Sequence, residues 1–233
     1  MKTMLMFDLL TAKKIAMSQM VLGVVVSLVI AVSTQTPMTI MPIMALMLAY
    51  SVGFTLVAYD ERNDWERFRL TLPLSRADII RGRYGTFVIM TLVGLAVGAL
   101  LTAIVYGLAQ AMPDAPILSA LSEPLGWQVL LAMAVASIAF SLVLWLIALP
   151  LVARFGMTKA VRFIPLAFII LLPLGTALAQ KAGPPPAFVV DLVTWALTSE
   201  GTIVLALAVL AFVAVLSALS CLLSVKLYEK REF

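Results

Sequence analysis

The chain contains no histidine and one cysteine, Cys221. Lack of histidine excludes imidazole bases and imidazole metal ligands, and with them Ser–His catalysis and histidine zinc sites. One cysteine cannot form an intrachain disulfide framework. Cys221 also lies in an apolar run without a neighbouring base, so it reads as a packing residue rather than a nucleophile. No glycine-rich phosphate loop ending in Lys-Ser or Lys-Thr occurs, so the chain hydrolyses no nucleotide by that route. An enzyme is not expected, and no metal or cofactor is expected in the chain itself. Charge is scarce too, at 12 % of residues.

What is abundant is apolar side chain. Hydrophobic residues make up 63 % of the 233, and the mean hydropathy is +1.11, outside the range of a soluble domain. The expected class is an all-α integral membrane protein. Six apolar runs are each about long enough to span a bilayer, taken as 15–34, 38–58, 84–111, 127–152, 163–179 and 202–225. Pro37 places a tight turn between the first two runs. Pro150 and Arg154 close the fourth, and Pro165 and Pro173 fall inside the fifth. Residues 1–14 are too polar to span and are expected to form a short interfacial helix. A second short interfacial helix is expected over Val189–Leu197.

Orientation follows from the basic residues. With six spans, the N-terminus, the 59–83 loop, the 154–162 loop and the tail share one side and hold every Lys and Arg except Lys181. That side is predicted to be cytoplasmic, with both termini inside, because basic loops resist translocation. The net charge of +4 is therefore not a nucleic-acid footprint. No run contains Asp, Glu, Lys or Arg, which argues against a proton-driven transporter. Met38, Met41, Met44 and Met47 recur every three residues, and Gly94 and Gly98 form a GxxxG pair. The methionines read as lipid-facing or packing residues rather than a copper or ligand path, and the glycine pair as close helix packing.

The one polar island is Tyr59–Tyr84, which holds eleven charged residues. Trp65, Phe68 and Leu72 share a helical face, with the acids Asp60, Glu61 and Asp64 before Arg67 and Arg69. Pro73 ends that helix. Ser75, with Asp78 three residues on, is a capping box that opens a second helix, expected to run into the third span. Arg81 and Arg83 sit at headgroup depth. An aromatic centre within a charged rim is what a protein-docking surface requires; anchoring on the lipid surface is the other reading of the same residues.

Three separated stretches carry a resemblance. They are Tyr59-Asp60-Glu61 through Trp65, with Thr71-Leu72-Pro73-Leu74-Ser75-Arg76 and Arg83-Tyr84; Leu149-Pro150-Leu151 with Arg154-Phe155-Gly156 and Lys159; and the ending Ser224-Val225-Lys226-Leu227-Tyr228-Glu229-Lys230-Arg231-Glu232-Phe233. In these the chain resembles ABC-2 type transporter permeases, within them the small six-span subunits of bacterial ABC exporters. Arg83 stands where that family commonly has Lys and keeps the charge.

The resemblance implies a single transmembrane domain over 1–233 in the bacterial cytoplasmic membrane. Residues 1–14 would be an interfacial elbow and 59–83 a cytoplasmic coupling loop. It implies pairing with a second permease subunit, the same chain or a sister, and with two copies of a cytoplasmic ATPase that carries the ATP and Mg. Coupling would be borne by Asp60, Glu61, Arg62, Asp64, Trp65, Phe68, Arg69, Leu72, Pro73, Ser75, Arg76 and Asp78. The family's cargo is amphipathic or antimicrobial peptide or hydrophobic small molecule, and no residue is assigned to the substrate path. The alternative function is a membrane anchor or sensory subunit that recruits an ATPase without transport.

Overall fold

A computed structural model describes residues 2–63, 65, 71, 75–115, 118, 121–122, 126–157, 186–196 and 198–230. Within them every regular element is helical. The long helices are α1 (Lys2–Thr34), α2 (Ile40–Arg62), α3 (Arg76–Ala111), α4 (Trp127–Phe155) and α6 (Ser199–Glu229), and α5 (Ala187–Ala196) is short. Five helices, all but α5, are long and apolar enough to cross a membrane. The fifth predicted run, 163–179, lies outside the described residues.

Residues 1–14 were expected to form a separate interfacial helix, but from Lys2 onward they are continuous with α1. The reason is packing on one face: Met4, Asp8 and Ala12, four residues apart, are buried at 1 %, 0 % and 0 % exposure. Leu10, on another face, is exposed. At about 1.5 Å per residue α1 is about 50 Å long, well beyond a hydrocarbon core of about 30 Å. The helices therefore carry their polar ends past the apolar runs.

The first turn is built as the sequence suggests. Gln35 takes a left-handed conformation, φ 56°, and the Thr36 amide reaches back to the Ala31 carbonyl at 3.1 Å, a Schellman ending. Pro37 then opens a single 3-10 turn before α2. α2 is the central helix of the bundle and packs on α1, α3 and α4. Its contact with α3 is close because Gly94 and Gly98 face it. A Cβ at Gly94 would lie 2.6 Å from the Met44 carbonyl oxygen, and one at Gly98 2.9 Å from the Met41 Cα. Met41 and Met44 are both buried, so of the two readings of the methionine stripe, lipid-facing or packing, these residues take packing. Deeper in the bundle Trp145 of α4 stacks on Phe87 of α3, ring centres 3.5 Å apart, and touches Tyr50 and Phe54 of α2.

α4 runs through Pro150, where the sequence suggested a stop, and ends instead at Gly156. There φ is 77° and ψ 170°, a region almost closed to residues with a Cβ. Gly156→Ala is expected to destabilise the chain by about 1–3 kcal/mol, read as a lower midpoint in denaturant. An unchanged midpoint would mean that the turn after α4 does not need this conformation. Beyond it, α5 covers the predicted interfacial helix to within a few residues and packs on α6.

Candidate functional site

Five helix ends meet at one end of the bundle: the starts of α1 and α3 and the ends of α2, α4 and α6. Met4, Ile79, Ile80, Ala153 and Tyr228 form a shared apolar cluster there. On this floor stands a group of buried charges. Arg83 of α3 donates to the Asp60 carboxylate of α2 and pairs with Asp8 of α1 at 3.4 Å. All three residues are buried, with exposures of 4 %, 7 % and 0 %. The Thr86 hydroxyl lies 3.4 Å from Asp8 Oδ2. Burying such a set is unfavourable unless each charge is paired and hydrogen-bonded, and here one guanidinium serves two carboxylates from two other helices.

Around it runs a second layer of polar contacts. Arg76 Nη1 donates to the Tyr228 and Glu229 carbonyls at 3.2 and 2.7 Å, placing a cation on the negative end of the α6 dipole. The Tyr84 hydroxyl is 2.7 Å from Ser220 Oγ and 3.0 Å from Ser224 Oγ. Ser220 Oγ in turn donates to the Leu146 carbonyl of α4 at 2.8 Å. The Glu61 carboxylate accepts from the Met157 amide, which the glycine turn at 156 presents to it. The three stretches that carried the family resemblance thus touch one another at this end. They are far apart in sequence, but helix direction brings them together.

The candidate docking residues divide in this arrangement. Asp60 faces inward on Arg83. Glu61 is half-buried against the 156–157 turn, and Arg62 is exposed at the end of α2. Trp65 is half-buried with its ring 5.4 Å from that of Phe7 in α1. Ser75 is the N-cap of α3: its hydroxyl accepts from the Asp78 amide at 3.0 Å and donates to the Asp78 carboxylate at 2.7 Å. Helix α3 then runs without a break from Arg76 to Ala111, so the capped helix and the third span are one rod. Asp64, Phe68, Arg69, Leu72 and Pro73 lie outside the described residues.

A cavity of about 260 Å³ opens beside this group, lined by Phe7, Thr11, Leu56, Tyr59, Asp60, Asn63 and Trp65. A larger one, about 340 Å³, lies at the opposite end between α4 and α6 and is almost wholly apolar, with Gln128 and Thr202 its only polar lining. Among the described residues no cluster of three or more Cys, Asp or Glu side chains is placed to hold a metal ion. Cys221 is half-buried and packs with Val225 and Tyr84 on the shared floor, the packing role expected for it.

Asp8 is the functional-site residue that sequence reasoning left out. Its signal was present: one carboxylate at helical spacing between Met4 and Ala12, in a segment otherwise apolar on that face. Neither a curated protein nor a solved structure matches the chain. The family described as ABC-2 family transporter protein matches residues 3–229. The chain belongs to that family. Membership makes it a membrane component of a transporter and implies association with an ABC ATPase. For an ABC-2 permease, the gathered helix ends are the part of the bundle from which the loop between α2 and α3 emerges. Among the described residues the permease buries three charges, Asp8, Asp60 and Arg83, at the helix ends from which that loop runs.

Proposed function

We propose that the chain is the permease subunit of an ATP-driven exporter and that its 59–83 segment couples it to a cytoplasmic ATPase. What carries the reading is the match to the ABC-2 transporter family over residues 3–229, taken with the gathering of basic helix ends on one side. Lys2, Arg62, Arg76, Arg81, Arg154 and Lys226 all belong to elements that meet at that end. The positive-inside rule then supports a cytoplasmic position for it and for both termini. At Met157 the chain is at this end, while α5 and the start of α6 are at the other, where Gln128 of α4 reaches Ser199 at 3.4 Å. This supports a further crossing and six spans in all.

In this reading Trp65 and Arg62 face the ATPase, together with Asp64, Phe68, Arg69, Leu72 and Pro73. Asp60, Ser75 and Asp78 shape the two ends of the loop. Two permease subunits, alike or sister chains, pair through lipid-exposed apolar faces such as that of α6, where Leu207 and Phe212 are exposed. Two ATPase copies bind from the cytoplasm, supplying ATP and Mg, and nucleotide-driven closure moves the loops. The apolar helices suit amphipathic peptide or hydrophobic small-molecule cargo.

The test is co-purification with an ATPase encoded beside this chain. Trp65→Ala and Arg69→Glu are each expected to weaken the association about tenfold or more, as removal of an aromatic or charged anchor does at an interface centre. Unchanged recovery of the ATPase with both variants would remove the loop from the contact. Substrate-stimulated ATPase activity in proteoliposomes separates a permease from a recruiting anchor, which would show no such stimulation.

A further inference from the structure

Asp60 and Arg83 stand at the two ends of the same loop. Asp60 is in the last turn of α2, which ends at Arg62, and Arg83 is two turns into α3, which starts at Arg76. Their contact closes the loop at its base, and Asp8 draws the start of α1 into the same closure. From the same short stretch of α3, Arg76 holds the end of α6 and Tyr84 reaches both α6 and, through Ser220, α4.

We propose that Arg83 is a positioning residue for transport. It binds the ends of α1, α2 and α3 into one block, so that a push on the loop turns that block as a unit, and Arg76 and Tyr84 hand the movement on to α6 and α4. This rests on the reading of the chain as an ATP-coupled permease.

The physical need is plain. A loop whose two ends were free of each other would absorb a push by spreading, because helix ends fray and bend at little cost, and nothing would reach the membrane interior. Movement carried over tens of ångströms requires rigid elements whose arrangement shifts together. To the apolar packing of α2 on α3, a guanidinium between two buried carboxylates adds contacts that hold both distance and direction. Any sliding of α2 on α3 would part Asp60 from Arg83 and weaken the pairing of buried charge, an outcome more unfavourable than moving the whole block.

Two measurements test it. The first needs no ATPase: hydrogen exchange of the full chain in nanodiscs, following residues 4–12, 56–62 and 79–86. In the native chain these three segments are expected to open together, with protection within about threefold of one another. Asp60→Asn is expected to speed exchange of 56–62 by about tenfold or more while 94–105 keeps its protection. Asp60→Glu, which keeps the carboxylate, is expected to retain joint opening. Segments that already open independently in the native chain would overturn the proposal, as would an even rise across the whole chain in Asp60→Asn, which would mark a structural role only.

The second measures cargo moved per ATP hydrolysed in proteoliposomes containing the partner ATPase. Arg83→Lys, which keeps the charge, is expected to keep ATPase binding and lower that ratio about tenfold. A ratio equal to native, with transport and hydrolysis falling in step, would overturn the proposal. If the native chain binds no ATPase, it is the permease reading that fails, and the exchange experiment still decides whether the block exists.

Discussion

Arg83→Met should lower the stability of this chain by about 3–5 kcal/mol. Removing the guanidinium takes from the buried Asp60 and Asp8 carboxylates the cation they share. Losing that cation is far worse than never having buried the set. The triple variant Asp8→Asn, Asp60→Asn, Arg83→Met should therefore recover most of the loss, because complete neutralisation of a buried ion group is often close to neutral. Both are read by helical circular dichroism during denaturant titration in a fixed detergent. A midpoint for Arg83→Met equal to that of the native chain would mean that the group is solvated in the membrane-bound protein.

The second large effect is expected from one substitution made at two places on the same helix. Gly94→Ala puts a Cβ 2.6 Å from the Met44 carbonyl oxygen and 2.8 Å from the Ala45 Cα. Both are backbone atoms, so no rotamer change relieves the clash and α2 and α3 must move apart. The expected loss is about 3 kcal/mol, the upper part of the overpacking range. Gly107→Ala, where a Cβ meets nothing within 4 Å, should be neutral or stabilising by up to about 1 kcal/mol through helix propensity. Opposite signs for the same chemical change would establish the close approach of α2 and α3; equal effects would deny it.

These two sites show what kinds of information the chain carries locally. The Gly94–Gly98 pair announced a close helix contact by spacing alone, but not which helix would fill it. Arg83 looked like a headgroup-level arginine, one of several near the mouth of a span. Its partners lie 23 residues away at Asp60 and on the first helix at Asp8, and no periodicity connects positions so separated. The absence of ionisable residues holds for the apolar runs as drawn. It does not hold for the helices, which extend past those runs and bury three charges at one end. Residues 1–14 illustrate the same point. Their charge made an interfacial helix the natural expectation, and the compensation that lets Asp8 go inside is supplied by Arg83 on another helix.

By itself the sequence determined the class of molecule. Apolar runs of bilayer length, no histidine, a lone cysteine, no phosphate loop and a capped turn at Ser75 are local properties, set by hydropathy, side-chain chemistry and backbone preference within a few residues. They yielded membrane helices, the loop between the second and third spans, the fusion of the capped helix with α3, and the three stretches that marked the family. Only the tertiary structure decided which charges are buried, which helix each glycine faces, and that all three stretches meet at one end of the bundle. The reason is that burial and ion pairing depend on where distant segments come to rest. In a low-dielectric interior the worth of a charge is set almost wholly by the partner beside it.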